Sequence, residues 1–325
     1  MGEAGSRASA SNGMMENFIG LLTRRITVVS ILDEPLQHGF EQFVQRALAQ
    51  PGLSRRFHAT GIDLHYLEWE GPPRAPALLL LHGFMAHAHW WDFIAPWLAQ
   101  QYRVIAPDFG GMGDSGHREH YSVAQCIDEI GAVIEHTGIA PCIAIGHSFG
   151  GRTLLQACAR HPQAIARAVV VDSRLTSPDD PLRSFKDMWR PKRRYPDQQT
   201  MVDRFVLMPE EPAPALAMAH MARCGSHQDG DAWIWKFDDR ILLMDQHNDE
   251  DPRDEAADMA WLPMPVDIIR GEYSRVATAE RCARLSALLP TAGAPIELPG
   301  SYHHLPVSQP LALLAVLRTL LANPR

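Results

Sequence analysis

The chain has 325 residues, of which 46% are hydrophobic and 21% are charged, and its formal net charge is −8 at pH 7. These fractions are typical of a folded globular protein, and the acidic balance excludes a general nucleic-acid-binding surface, which needs a basic face. No run of about 18 uncharged apolar residues is present, so we predict no transmembrane segment. The cysteines form no CxxC pair and the first residues lack the apolar block of a secretory signal, which favours a cytoplasmic protein with reduced thiols.

Residues 1–55 are predicted to form an N-terminal extension that is partly disordered and then helical. Its first dozen residues are small and polar, and apolar residues recur at helical spacing between residues 15 and 50. We expect this helical part to pack on the main domain. The alternative is that this helical part binds a membrane surface or a second copy of the chain, so a homodimer is also considered.

The regular part of the chain begins at residue 56. Two runs with alternating apolar residues flank Thr60-Gly61, which predicts a β-hairpin. Continuous apolar runs, typical of strands buried on both faces, occur in APALLLLHGF, RVIAPDFGG, CIAIGHSFGG, ARAVVVDSR and MPVDIIRGE. Helix-like stretches lie between these runs. The alternation predicts an α/β fold with a mostly parallel twisted sheet flanked by helices.

One stretch breaks the alternation. Residues 174–260 are charged, contain scattered prolines and three tryptophans, and include helical segments but no buried strand. We interpret them as a mostly helical cap insertion over the carboxyl edge of the sheet, where ligands bind in sheets of this kind. The core would then comprise residues 56–173 and 261–325.

The sequence GHSFG at residues 146–150 is the first candidate for chemistry. It matches G-x-S-x-G and lies between the apparent strand CIAI and the apparent helix RTLLQACA. In a tight strand-to-helix turn, the glycines let the backbone crowd together and the serine hydroxyl is raised above the sheet. Ser148 is therefore a candidate nucleophile, the alternative being an N-cap residue at the start of the helix. The sequence GDSG at residues 113–116 lies in a loop after a buried strand, so we interpret it as structural, with Asp108 binding local backbone.

The loop HGF directly follows the apparent strand ALLLL. In a sheet of this kind, that loop and the residue after the nucleophile each supply one backbone N–H to an oxyanion hole. The candidates are the amides of Phe84 and Phe149. His82, His87 and His89 are weighed as metal ligands, but no carboxylate cluster lies near them in sequence. We therefore expect neither a metal nor a cofactor.

A general base is expected after the last strand, where GSYHHLPVSQP offers His303 and His304. The order of the HGF loop, the DFGGMGDSG loop, GHSFGG and the late histidine resembles that of the α/β-hydrolase superfamily, over residues 56–325 apart from the insertion. In that family a proline follows the catalytic histidine by seven residues. Pro310 stands in this relation to His303, so the resemblance implies that His303 is the base. Tyr302 departs from the family pattern, in which glycine is commoner.

The acid that would orient His303 is harder to place. After the strand PVDIIRG the family usually has an aspartate, but this chain has Glu-Tyr-Ser-Arg. Asp267 lies within the strand and would point into a face of the sheet, whereas Glu272 follows the glycine and is a reserve candidate. Asp172 ends the strand that should lie beside the one leading to Ser148. It also resembles the acid of a subset of family esterases, so we predict Asp172.

The resemblance implies a serine hydrolase that cleaves a carboxylic ester, lactone or thioester through an acyl-enzyme. A serine at position 148 argues against haloalkane dehalogenase or epoxide hydrolase chemistry, which in this superfamily uses an aspartate nucleophile. The alternatives are a C–C bond hydrolase of ring-cleavage products and a non-catalytic ligand receptor on the same fold. Aromatic content near the site suggests an apolar or aromatic small-molecule substrate. The pocket candidates are His147, Trp90, Trp91, Trp189 and Trp235.

Overall fold

A computed structural model describes residues 39–174, 193–244 and 259–323. The chain divides into two units, Met1–Arg46 and Ala47–Arg325. The described part of the first unit, residues 39–46, is helical. Residues 1–38 of the predicted N-terminal extension, including the stretch predicted to be disordered, lie outside the described residues, and residues 53–55 belong to the first strand of the sheet. The predicted domain boundaries remain predictions.

The second unit is built on an eight-stranded sheet with the order β1-β2-β4-β3-β5-β6-β9-β10. The first two pairings, β1 with β2 and β2 with β4, are antiparallel, and the others are parallel. The strands are β1 (Leu53–Ala59), β2 (Ile62–Trp69), β3 (Ala77–Leu81), β4 (Arg103–Pro107), β5 (Cys142–His147), β6 (Ile165–Val171), β9 (Val266–Gly271) and β10 (Ile296–Leu298). The prediction of a mostly parallel sheet is confirmed.

The predicted hairpin is present. Thr60 and Gly61 connect β1 to β2 with φ angles of 51° and 81°, and Ala59 pairs with Ile62. Positive φ at both central residues is the type I′ geometry, whose twist matches that of the flanking strands. Glycine at the second position adopts this conformation without a steric cost.

Helices cover the sheet, as predicted. The helices of the described residues in the second unit are α1 (Ala95–Leu98), α2 (Val123–Thr137), α3 (Phe149–Arg160), α4 (Gln198–Arg204), α5 (Ala215–Cys224), α6 (Ala279–Leu288), α7 (Leu305–Ser308) and α8 (Pro310–Ala322), together with 3₁₀ turns at Ala88–Trp91 and Asp239–Leu243. The start of α2 is fixed by a capping box between Ser122 and Gln125, and its end by Gly138 in the left-handed conformation. None of the helices described is both long and apolar enough to cross a membrane.

The parallel strands bring several loops to one edge of the sheet. The neighbours β3, β5, β6 and β9 run in the same direction and are nearly all buried. Their carboxyl ends therefore lie side by side, about 5 Å apart from strand to strand. The HGF loop, Ser148 and Asp172 follow β3, β5 and β6 at this edge.

The described part of the predicted insertion, residues 193–244, contains α4, α5 and a two-stranded antiparallel hairpin of β7 (Ser226–Asp229) and β8 (Ala232–Trp235). This hairpin was not predicted from the sequence. Its strands have four residues each and are mostly only partly buried or exposed, so they lack the long apolar run that identifies a core strand. Residues 193–244 are called the insertion below.

Candidate active site

Ser148 lies in a strained turn between β5 and α3. Its φ and ψ angles are 53° and −116°, a backbone region that non-glycine residues rarely adopt and that persists only where the surrounding structure holds it. A Cβ on Gly146 would lie 2.5 Å from the carbonyl oxygen of Gly150, and one on Gly150 would lie 2.5 Å from the carbonyl oxygen of His82. Both flanking glycines are therefore sterically required, as the motif predicted.

The HGF loop packs directly against this turn. A Cβ on Gly83 would lie 3.1 Å from Nδ1 of His147 and 3.4 Å from Cβ of Ser148, so little space separates the loop from these two side chains. Phe149 is the first residue of α3, where backbone N–H groups have no intrahelical partner and the helix dipole favours negative charge. Phe84 and Phe149 pack edge to face with ring centroids 5.5 Å apart. Phe149 directly follows Ser148, and the assignment of the Phe84 and Phe149 N–H groups to an oxyanion hole stays a prediction.

His303, which lies in the loop after β10, contacts Asp172 at the end of β6. Nδ1–H of His303 donates to Oδ1 of Asp172 at 2.7 Å, and both side chains are buried. Asp172 adopts a positive φ of 45° at the end of β6. A hydrogen bond from Nδ1 leaves Nε2 of the same ring available to accept a proton. Of the acids considered from the sequence, Asp172 is the one that contacts the histidine.

Asp172 is held by two further donors, one from the last residue of β9 and one from the loop that follows it. The backbone N–H of Gly271 donates to Oδ2 at 2.7 Å, and Oγ of Ser274 donates to Oδ1 at 2.6 Å. The Ser274 oxygen in turn accepts the N–H groups of Val276 and Ala277, at 3.1 Å each. The carboxylate thus has partners on both oxygens, which fixes its orientation.

The other two acids lie elsewhere. Glu272, the reserve candidate, accepts the N–H of Gly300 at 2.7 Å near the surface. Asp267 forms a buried ion pair with Arg167, whose Nε donates to Oδ2 at 2.8 Å. Neither carboxylate contacts His303.

Glu211 from the insertion also reaches this loop. Its carboxylate accepts the backbone N–H of His303 at 2.8 Å and that of His304 at 2.9 Å. Burial raises the pKa of Glu211, while its bonds to these amides oppose that shift. Glu211 therefore fixes the backbone that carries His303. No motif in the sequence marks it.

Two more histidines surround His303. Nε2–H of His147 donates to the carbonyl oxygen of His303 at 2.9 Å. Burial, followed by the proximity of His303 and His304, lowers the pKa of His147 well below its ordinary value. Burial and then His303 lower the pKa of His304 to about 3. Both rings are therefore neutral near pH 7, so neither His147 nor His304 places a positive charge beside His303.

A cavity of about 300 Å³ opens at Ser148 and His303. It is lined mainly by apolar side chains, among them Phe84, Trp90 and Val276, and by His147. Two arginines, Arg152 and Arg174, add positive charge to its wall. The volume is at the lower end for a small-molecule site, and the mixture of apolar walls with a few polar groups is typical of one.

A second cavity of about 260 Å³ adjoins the first and is lined largely by the insertion. Both cavities share the lining residues Phe84, Met85, Ala86, Trp90, Met208 and His304. Trp235 lines the second cavity only. Trp90 and Trp235, two of the predicted pocket residues, thus each line at least one of these cavities, and their role in substrate binding stays a prediction. Trp91 is fully buried in the core and lines neither cavity, whereas Trp189 lies outside the described residues.

The remaining residues of the sequence motifs are structural. His82 is fully buried, and burial lowers its pKa. Its Nε2 accepts the N–H of Phe109 at 3.1 Å, which ties two loops together. Asp108 accepts the backbone N–H of Asp114 at 2.8 Å, and Ser115 of the GDSG sequence donates to the Asp108 carbonyl at 2.7 Å. The interpretation of GDSG as a structural loop is consistent with these contacts.

Comparison with known proteins decides the family. The family model for the alpha/beta hydrolase fold matches residues 76–310. The chain belongs to this family. Its fold is similar to that of an (E)-2-(acetamidomethylene)succinate hydrolase, with a TM-score of 0.71 at 22% identity over 84% of this chain and all of the other. An esterase of Mycobacterium tuberculosis gives a TM-score of 0.69 at 22% identity, covering 87% of this chain and 96% of that one.

Curated relatives of this α/β hydrolase match over a shorter region. A bifunctional esterase/perhydrolase of Acinetobacter calcoaceticus is 33% identical over 121 residues, which are 35% of this chain and 42% of the relative. Human epoxide hydrolase 4 is 28% identical over 132 residues, 38% of this chain and 36% of the relative. The matched region thus spans less than half the length of each of these relatives.

Proposed function

We propose that this α/β hydrolase is a serine hydrolase that cleaves carboxylic esters, or related thioesters and lactones, of apolar or aromatic compounds. Ser148 is the nucleophile, His303 the general base and Asp172 the acid that orients it. The observation that carries the proposal is the 2.7 Å contact between His303 Nδ1 and Asp172 Oδ1, beside a cavity that both His303 and Ser148 line.

In the first half of the reaction, Nε2 of His303 takes the proton of the Ser148 hydroxyl as Oγ attacks the acyl carbon. The carbonyl oxygen becomes an oxyanion, which the N–H groups of Phe84 and Phe149 stabilise. The His303 imidazolium then gives its proton to the leaving alcohol or thiol, and an acyl-enzyme remains. Asp172 stabilises the imidazolium in this step, because its carboxylate accepts the Nδ1 proton.

In the second half, water replaces the alcohol. His303 takes a proton from the water, whose oxygen attacks the acyl carbon, and the second oxyanion uses the same two N–H groups. Collapse of this intermediate returns the proton to Oγ of Ser148 and releases the carboxylic acid.

The shape and lining of the cavities support an apolar acyl or alcohol group. Because the two cavities share six lining residues, a substrate can extend from Ser148 toward Trp235 and the insertion. The relatives include epoxide hydrolases as well as an esterase and a lipase. Ser148 favours acyl transfer over epoxide opening, since a serine does not replace the carboxylate nucleophile on which the epoxide hydrolases of this superfamily depend.

The test is turnover of a panel of p-nitrophenyl esters by the wild-type protein, by Ser148→Ala and by Ser286→Ala. Ser286 is a matched serine that donates to the Gly293 carbonyl, away from the site. We expect ester turnover by the wild type and Ser286→Ala and none above background by Ser148→Ala. Turnover of a dienone-acid ring-cleavage product without ester turnover would favour the C–C hydrolase. Neither activity in a folded protein would favour a ligand receptor.

A further inference from the structure

A second cluster of chemically reactive side chains lies outside the candidate active site. Its members are His89, Asp92, His220 and Cys224, and their ligand atoms all lie within 4.8 Å of one another. His89 and Asp92 belong to the 3₁₀ turn Ala88–Trp91 and its end, and His220 and Cys224 belong to α5 of the insertion. Nothing in the proposed hydrolysis uses these four residues.

The spacing within each element suits chelation. His220 and Cys224 are four residues apart on a helix, so their side chains lie on one face, one turn apart. His89 and Asp92 are three residues apart in the turn, and Nδ1 of His89 lies 2.8 Å from Oδ2 of Asp92. No sequence pattern joins the two pairs, because His220 follows Asp92 by 128 residues.

The donors converge on one carboxylate oxygen. Nε2 of His220 lies 2.7 Å from the same Oδ2 of Asp92, and Sγ of Cys224 lies 3.7 Å from that Nε2. Four ligands at about 2.0–2.3 Å from a tetrahedral zinc ion are about 3.3–3.7 Å apart. If each of the two histidine nitrogens moved away from Oδ2 of Asp92 by roughly half an ångström, the distances between ligand atoms would therefore match those around a zinc ion.

Burial and charge also favour a cation. The Asp92 side chain is 9% exposed, and its Oδ1 has no hydrogen-bond partner among the described residues. The two histidine side chains are 25% and 22% exposed, which leaves a path for an ion. In the deprotonated forms that bind metal, the Cys224 thiolate, the Asp92 carboxylate and two neutral imidazoles together carry two negative charges, which a divalent cation neutralises at a partly buried site.

We propose that His89, Asp92, His220 and Cys224 form a structural zinc site that fastens the insertion to the core. All four positions are protein ligands, so the site has the closed tetrahedral set of structural zinc rather than the open position of catalytic zinc. The mixed sulfur, nitrogen and oxygen donors suit Zn²⁺ and exclude the hard cations Mg²⁺ and Ca²⁺. On binding, Cys224 and the coordinating histidine nitrogens lose their protons to solvent.

The ion would also fix a wall of the second cavity. Three residues that line the cavity are next in sequence to these ligands: Met221 follows His220, Gly225 follows Cys224 at the end of α5, and Trp90 follows His89. Metal bonds between the turn and α5 would hold these lining residues in place. This inference does not depend on the proposed function, because its test reads metal binding directly.

The test uses the full chain without an affinity tag, treated with a chelator and then titrated with Co²⁺ and Zn²⁺. We expect one Co²⁺ per chain, with tetrahedral d–d bands and a thiolate-to-cobalt charge-transfer band, and displacement of Co²⁺ by Zn²⁺. In Cys224→Ser the charge-transfer band should be lost, and in His220→Gln the affinity should fall at least about tenfold. Zn²⁺ should raise the Tm of the wild type by a few degrees but not that of Cys224→Ser.

Two controls separate this site from others. Cys282→Ser tests an unrelated buried thiol, and His304→Gln tests the histidine group His147, His303 and His304, whose nitrogens also lie close together. Both variants should keep the cobalt spectrum. The proposal would be overturned by the absence of stoichiometric binding tighter than about 10 µM, or by a charge-transfer band that persists in Cys224→Ser or disappears in His304→Gln.

Discussion

Ser274 and His303 donate to the same oxygen of Asp172, with distances of 2.6 and 2.7 Å to Oδ1. Ser274 follows β9, where members of this family usually carry the acid, whereas Asp172 ends the neighbouring strand β6. The two strands are adjacent and parallel, with Val171 paired to Ile269. In the proposed triad the carboxylate therefore lies one strand away from the position usual in the family, and Ser274 at that usual position donates a hydrogen bond to it.

This relationship predicts that the acid can be moved back. Asp172→Asn should lower kcat/KM for an ester by about 10³- to 10⁴-fold, because the histidine loses the carboxylate that fixes its tautomer. The double variant Asp172→Ser, Ser274→Asp should recover at least tenfold of that loss, since the two side chains already share a hydrogen bond. Steady-state kinetics measures both values. A double variant no better than Asp172→Asn would show that position 274 does not reach His303.

Glu211 is expected to act through the backbone of His303. Glu211→Ala removes the acceptor of two buried N–H groups, and a displacement of the catalytic loop by about 1 Å can cost on the order of a hundredfold in rate. We expect kcat/KM to fall by about 10- to 100-fold, with partial recovery in Glu211→Gln, which keeps one acceptor. Glu210→Ala, at the exposed neighbouring position, should leave kinetics unchanged. Equal effects of Glu211→Ala and Glu210→Ala would contradict this role.

Trp235 should affect long substrates and spare short ones. It lines the second cavity, away from Ser148, so an acetyl ester does not reach it. Trp235→Ala should lower kcat/KM for esters of long acyl chains about tenfold, a loss typical of a removed apolar contact, and leave that for acetate esters within about twofold. Trp261→Ala, at an 84% exposed tryptophan, is the control. A uniform loss across chain lengths would instead indicate a general folding defect.

His304 should make the fold sensitive to acid. Its pKa is lowered to about 3 from an ordinary value of 6.5, so between these values the unfolded chain binds a proton that the folded chain does not. The contribution of neutral His304 to the free energy of unfolding is fully present above pH 6.5. It is lost as the pH falls toward 3, by about 1.4 kcal/mol per pH unit within that window. The free energy of unfolding of His304→Gln should fall less steeply between pH 6.5 and 4.5. The surface variant His58→Gln is the control and should follow the wild type. Equal pH dependence of the free energy of unfolding in His304→Gln and the wild type would contradict this prediction.

Patterns among neighbouring residues in the sequence predicted most of the fold but only part of the candidate site. The hairpin at Thr60-Gly61 and the turn at Ser148 depend on the conformational needs of a few adjacent residues, which a sequence displays directly. Asp172 needed more, because its assignment depends on which strands are neighbours in the sheet. The family resemblance and the rule that successive strands tend to pair supplied that step.

Contacts between distant segments could not be predicted in the same way. Glu211 lies 92 residues before His303, in a segment without a motif. Trp90 and Trp91 are adjacent and equally aromatic, yet Trp90 lines both cavities described above whereas Trp91 lines neither and is fully buried. The direction of each side chain depends on the tertiary packing of the short 3₁₀ turn, for which the sequence has no periodic pattern.

The rate at which a fluorophosphonate probe labels Ser148 tests the central claim most directly. Intact mass and peptide mapping should show one adduct, on Ser148, and none in Ser148→Ala. Labelling should slow by about 10³-fold or more in Asp172→Asn and stay within about twofold in Glu272→Gln, whose carboxylate binds Gly300 instead. A folded wild-type protein that forms no adduct, or an Asp172→Asn variant that labels as fast as the wild type, would contradict the account.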